Sequence, residues 1–144
     1  MIDPGLAGRV GIVTGANHGI GAATARTLAA QGVAVFVTYL RGQPPSPKAD
    51  LSTPGDALYR AKQAQDARWV VDAIVSAGGR AAAWEADLAN PRTLPELFDR
   101  AEAAFGPVGV LVNNATHCVP TTFRPDGGLT TISTELHDAH FAVN

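Results

Sequence analysis

The chain predicts a doubly wound α/β fold built on a parallel sheet, and three observations carry that expectation. Short apolar runs recur with little polar alternation, as strands covered on both faces require. Helix-like stretches that end in glycine separate them. The first apolar run passes into the first of these stretches through one glycine-rich turn, VTGANHGIG at Val13–Gly21.

Taken in order, Arg9–Thr14 reads as the first strand and Ala22–Gln31 as a helix of small residues, with Gly32 just past its end. Val33–Tyr39 reads as the second strand. Composition then shifts: Arg41–Gly55 (RGQPPSPKADLSTPG) carries four prolines and predicts an irregular surface insertion. One long helix is expected over Asp56–Ala77, with Val70, Val71, Ile74 and Val75 on one face and Gly78-Gly79 as its stop. Arg80–Glu85 is the third strand, leading into Ala86-Asp87-Leu88. Thr93-Leu-Pro-Glu96 has capping-box spacing, with Pro95 in the first turn of a helix that runs to Phe105 and stops at Gly106-Pro107. Val108–Asn113 is the fourth strand. Thr116–Thr134 is expected to be loop, and a last helix, starting near Ser133 or Thr134, runs to Asn144. No repeat of 20 to 50 residues is evident beyond this alternation, and by length residues 1–144 are expected to form a single domain.

Composition removes several function classes. With 144 residues, 46% apolar and 17% charged, the chain is long enough for a core without staples. A formal charge of −2 gives no footprint for nucleic acid or an anionic membrane. The longest apolar stretch, Val33–Val37, is far too short to span a bilayer, and the start MIDPGLAGRV lacks the regions of a signal peptide. The single cysteine, Cys118, excludes an internal disulfide and fits a reducing cytoplasm.

A strand, a Gly-x-x-x-Gly-x-Gly turn and a helix bring backbone N–H groups and the positive helix end to one point. Gly15 allows the sharp turn, Gly19 lets a pyrophosphate approach the backbone, and Gly21 lets the helix sit close on the strand. A ligand-free strand-to-helix turn is the competing reading of this motif alone.

Thr14-Gly-Ala-Asn-His-Gly-Ile-Gly21 resembles the Thr-Gly-x-x-x-Gly-x-Gly signature of the short-chain dehydrogenase/reductase family. Ala86-Asp87-Leu88 and Asn113-Asn114-Ala115-Thr116 resemble the family motifs after its third and fourth strands, and Phe141-Ala-Val-Asn144 resembles the segment that holds its catalytic asparagine. The resemblance covers essentially the whole chain and implies a Rossmann-type fold. It implies that backbone groups around Asn17, His18 and Ile20 face the cofactor phosphates. It also implies that Asp87 accepts from the adenine amino group beside the Leu88 backbone, and that Asn114 and Ala115 line the ribose side. Thr14 and Asn113 are expected to tie the first and fourth strands together. Thr116 departs from the family's glycine and puts a branched side chain near the nicotinamide.

Cofactor choice turns on the end of the second strand, where a carboxylate would bind the ribose 2′-hydroxyl of NAD. This chain has Thr38-Tyr39-Leu40-Arg41 there, without a carboxylate and with an arginine suited to a phosphate, so NADP is expected, with NAD possible. The competing reading is that Arg41 simply solvates the root of the insertion.

The family's chemistry is hydride transfer between nicotinamide and a carbonyl or alcohol carbon. A tyrosine serves as acid/base, its pKa lowered by a lysine four residues on, and a serine polarises the carbonyl. The only tyrosines here are Tyr39 and Tyr59, the only lysines Lys48 and Lys62, and no Tyr-x-x-x-Lys exists. Of the catalytic set only Asn144 is present, and the chain stops before a fifth strand. The expectation is a sequence truncated after the start of the fifth helix and inactive alone. Its fourth strand would be a bare edge prone to aggregation, and its parent enzyme a homo-oligomer. A non-catalytic nucleotide-binding module and one chain of a split enzyme remain open alternatives, and the carbonyl or alcohol substrate is not legible.

Other constellations are weaker. His137 and His140 share a helix face and His117 adjoins Cys118, but nothing completes a metal site, so none is expected. Cys118 reads as an inert loop thiol, Ser133 and Thr134 as helix caps, and Trp69 and Trp84 as core or core-edge residues.

Overall fold

The structure is a computed structural model that describes residues 4–117 and 133–144. Its elements follow one another as β1 (Val10–Thr14), α1 (Gly19–Ala30), β2 (Ala34–Tyr39), α2 (Asp56–Gln63), α3 (Arg68–Ser76), β3 (Arg80–Glu85), α4 (Thr93–Phe105), β4 (Val110–Val112) and α5 (Thr134–Val143). The four strands form one parallel sheet in the order β3-β2-β1-β4, with Ile12 opposite Phe36 and Leu111, and Phe36 opposite Ala82.

The period of two in β1 and β2 sorts their side chains between two cores. Val13, Val35 and Val37 pack with Ala22, Ala25 and Ala29 of α1 and Val70 and Ile74 of α3. On the opposite face Ile12 and Phe36 meet Leu97 and Ala101 of α4. Every residue of β1 is buried, which accounts for its unalternated apolar run. Each fully buried valine or isoleucine here contributes roughly 1.5–3 kcal/mol. The chain lays down β2 and β3 on one side of β1, then crosses back by α4 to place β4 on the other. The strand order therefore reverses between β1 and β4, a topological switch point whose carboxyl-end crevice is the expected ligand position.

Three local expectations are corrected. The single helix over Asp56–Ala77 is two helices, α2 and α3, broken at residues 64–67. The amide of Asn17, far away in sequence, donates to the carbonyls of Gln63 at 3.1 Å and Gln65 at 2.8 Å, and Asp66 accepts from the Arg68 N–H at 3.0 Å. Those bonds end one helix and start the next. The capping box at Thr93–Glu96 does not form: Thr93 is already inside the helix. Arg92 stands at the N-cap without a side-chain cap bond; ahead of it the Asn90 side chain accepts from the Arg92 N–H at 3.1 Å and the Asn90 carbonyl from the Thr93 N–H at 2.9 Å, while Glu96 turns to Arg100 at 2.7 Å. The fourth strand is shorter than expected and α1 longer, beginning at Gly19. Ser133 does cap α5, accepting from the Leu136 N–H at 3.2 Å. Most of the expected loop over Thr116–Thr134, with Cys118, lies outside the described residues. Among the described residues no helix is long and apolar enough to cross a membrane.

Candidate functional site

At the carboxyl ends of β1 and β4 the backbone is locked by one hydroxyl. Thr14 Oγ1 donates to the Val112 carbonyl at 3.3 Å and accepts from the N–H groups of Asn114 at 3.0 Å and Ala115 at 2.9 Å. The Asn114 amide donates to the carbonyls of Thr14 at 2.9 Å and Gly15 at 3.0 Å. The strand tie expected of Thr14 and Asn113 thus runs through Asn114, and Asn113 is exposed.

The three glycines of the turn do three different things. Gly15 has φ +63°, and a Cβ there would lie 2.8 Å from Ala115 Cα. A Cβ on Gly21 would lie 2.5 Å from both Asn114 Nδ2 and the Gly15 carbonyl, so this glycine permits the close approach of α1. Gly19 differs: its φ is +57°, yet beyond its chain neighbours and its own helix backbone no atom comes within 4 Å of a Cβ built there. Its missing side chain leaves space open, and that space belongs to the cavity.

The cavity has a volume of about 1040 Å³, at the upper end of the ~300–1,000 Å³ common for small-molecule sites. Gly15, Asn17, His18, Gly19, Ile20 and Gly21 line it on one side, and Asp87, Leu88, Asn114, Ala115 and Thr116 on another. Tyr39, Leu40 and Arg41 line it at the end of β2. His18 precedes α1 in extended backbone and supplies no side-chain cap, so the first N–H groups of α1 have no capping partner beside this space. Ile20 stands 79% exposed at the same place. Uncapped donors, the positive helix end and an open glycine together fit a pyrophosphate.

Asn17 itself is turned away from that space. It is buried, its side chain holds the α2–α3 break, and its carbonyl accepts from the Trp69 indole N–H at 2.8 Å. Trp69, expected in or beside the core, is 42% exposed and lines the cavity. Burial lowers the pKa of His18, against an opposing backbone hydrogen bond, and its ring meets Tyr59 edge-on at 5.6 Å. Asp87 accepts from the Ala89 N–H at 2.9 Å while its carboxylate stays exposed.

Thr38 does not reach the cavity. It is fully buried, its hydroxyl has no hydrogen-bond partner, and Tyr39, Leu40 and Arg41 are the cavity residues beyond it. Arg41 does line the cavity, but Glu85 at the end of β3 engages it. Arg41 Nε donates at 3.0 and 2.9 Å to the two carboxylate oxygens, and Nη2 lies 2.8 Å from Oε2. The hydrogen bonds with Arg41 hold the Glu85 carboxyl below the usual range and raise the guanidinium. The second strand has no carboxylate at its end, but the third supplies one by register, Tyr39 opposite Glu85.

Sequence reasoning also missed a wall. Pro54, Leu58, Tyr59 and Lys62, from the end of the insertion and from α2, line the same cavity. The paired apolar residues Leu58-Tyr59 in an otherwise polar helix were the available signal. Asn144 lies beside the site, its side chain accepting from the His117 N–H at 3.0 Å, and Val143 lines the cavity. His117 and His140 meet edge-on at 5.1 Å, and the His140 Nδ1–H donates to the Leu136 carbonyl at 2.7 Å. Among the described residues no group of three or more His, Cys, Asp or Glu side chains converges on a metal position.

A parallel sheet with a glycine-rich turn at its switch point is the arrangement of the doubly wound nucleotide-binding folds. The profile of the short chain dehydrogenase family matches residues 50–144. Elsinochrome reductase 1 of Elsinoe fawcettii is 35% identical over 139 residues, covering 96% of this chain and 42% of that protein. A 3-oxoacyl-[acyl-carrier-protein] reductase of Synechocystis is 38% identical over 110 residues, covering 76% and 36%. A short chain dehydrogenase from Burkholderia cenocepacia, solved in complex with NADP, superimposes with a TM-score of 0.67 at 35% identity, covering 96% of this chain and 45% of that one. The chain belongs to the short-chain dehydrogenase/reductase family of oxidoreductases, and it spans less than half the length of these relatives.

Proposed function

We propose that these residues form the cofactor-binding part of an NADP-dependent oxidoreductase that moves hydride between nicotinamide and a carbonyl or alcohol carbon. The observation that carries the reading is the open space before Gly19, beside the uncapped start of α1 and inside a cavity of about 1040 Å³. The NADP in the Burkholderia relative supports the choice of dinucleotide. When bound, the nicotinamide would supply or accept the hydride.

The chain's own residues then have separable tasks. The N–H groups of His18, Gly19 and Ile20 bind the phosphates, Asp87 accepts from the adenine amino group, and Ala115 and Thr116 flank the nicotinamide ribose. Asn144 positions the substrate side through its tie to the His117 backbone. No Tyr-x-x-x-Lys occurs in these 144 residues, so they contain no counterpart of the family's proton donor. A positioned acid is typically worth ~10²–10⁴-fold in rate, and these residues alone are expected to bind without turning over.

The test is a titration with NADPH and NADH followed by tryptophan emission, since Trp69 lines the cavity, paired with an NADPH-oxidation assay over a carbonyl panel. Saturable quenching without oxidation is expected. Absence of binding by both dinucleotides would remove the reading, and turnover by the purified chain would show that some other residue serves as the acid.

A further inference from the structure

The insertion and α2 carry no task in the binding scheme above, yet they supply one wall of its cavity. Two hydrogen bonds fix where α2 ends. The Gln63 carbonyl accepts from the Asn17 amide at 3.1 Å and from the Gly42 N–H at 3.2 Å. Asn17 belongs to the phosphate turn, and Gly42 follows the end of β2, where the adenosine ribose of a dinucleotide sits. The last turn of α2 is therefore clamped between the pyrophosphate position and the ribose position. Lys62, next to Gln63, lines the cavity from there.

Charge decides what this position can hold. Arg41, the cation expected from sequence, is bound along one edge by Glu85, and Asp66 lies close enough to act on both. Arg41 thus stands among carboxylates that offset its charge. The Lys62 side chain makes no ion pair or hydrogen bond among the described residues, and Lys62 is exposed and lines the cavity. A 2′-phosphate carries about two negative charges near pH 7, as other phosphate monoesters do, and a partly neutralised arginine leaves most of that charge unmatched. A lysine acts on phosphate as a mobile point charge and needs no fixed fork geometry, which suits a side chain on a helix clamped at one end.

We propose that Lys62 on α2 is the cation that selects the 2′-phosphorylated dinucleotide, with Arg41, held by Glu85, in a supporting place. This rests on the dinucleotide reading above. It makes the proline-rich insertion a specificity element: the excursion brings α2, with Lys62, to the wall of the cavity.

The experiment measures dissociation constants of the full chain for NADPH, NADH, adenosine 2′,5′-bisphosphate and AMP, in wild type, Lys62→Gln and Arg41→Gln. The wild type is expected to prefer NADPH over NADH, and the bisphosphate over AMP, by tenfold or more. Lys62→Gln is expected to remove most of both preferences while NADH binding stays within about twofold, which also certifies the fold. Arg41→Gln is expected to remove less. A Lys62→Gln chain that keeps the wild-type preference overturns the assignment alone, as does a wild type that binds both dinucleotides equally. A wild type that binds neither overturns the dinucleotide reading and this assignment with it.

Discussion

Gly19→Ala separates ligand binding from folding at the glycine turn, because of where the added methyl goes. Gly19 has φ +57°, and a Cβ there meets nothing within 4 Å beyond its chain neighbours and its own helix backbone. The folded chain therefore bears only the cost of an alanine in left-handed backbone, roughly 1–2 kcal/mol, partly offset by a less flexible unfolded state. For a domain of this size that lowers the melting temperature by about 2–5 °C. The ligand meets the methyl directly, because the open space is cavity. Losing one charge-assisted bond to phosphate, at ~1.5–3 kcal/mol, raises the NADPH dissociation constant by about 10- to 150-fold. The control is Gly21→Ala, whose methyl would lie 2.5 Å from Asn114 Nδ2 and the Gly15 carbonyl. There the turn itself must shift, and loss of the cooperative melting transition is expected. Calorimetric titration and thermal denaturation of the two variants make the comparison. Wild-type NADPH affinity in Gly19→Ala would refute the reasoning, since the open space would then hold no phosphate.

Thr38→Val removes a buried hydroxyl that has no partner, and is expected to raise stability by about 1 kcal/mol in chemical denaturation, while Thr38→Asp should unfold the chain and leave no cofactor switch to measure. Asn17→Ala strips the donors that hold the Gln63 and Gln65 carbonyls and should cost about 2–3 kcal/mol, with faster hydrogen exchange confined first to α2. Burial lowers the pKa of His18 in the folded chain, so the unfolded chain takes the proton more readily. Stability from this group is complete above the unfolded value near 6.5 and declines as pH falls through the folded value. His18→Gln is expected to flatten that part of the melting-temperature profile between pH 7.5 and 5.5, and an unchanged slope would assign it to other groups.

The sheet was legible in the sequence because its signals are local. Unalternated runs such as Val33–Val37 and stops such as Gly32 depend on neighbours a few residues away. The break between α2 and α3 was not legible from periodicity, because the group that makes it, Asn17, lies 46 residues from Gln63. Asp66, two residues before Arg68, was the only local hint of a helix start there. The glycine turn was read correctly as a turn, but the work of Asn17 as a tether and of Asn114 as the strand tie depends on tertiary contacts. Arg41 could be named from its position after β2, whereas its capture by Glu85 follows from β2–β3 register and so appears only once the strands are paired.

Gly42 and Gln63 are hydrogen-bonded to each other, so the chain leaves the sheet and comes back to nearly the same spot. A segment whose two ends meet behaves as a cassette. Removing residues 43–62, or grafting another peptide between the same anchors, leaves every strand pairing untouched, and the added loop-closure cost grows only with the logarithm of its length. A fold can therefore acquire, exchange or discard such a segment in one genetic step. The wall of the cavity can then change by insertion, without a single substitution in the core that keeps the protein folded.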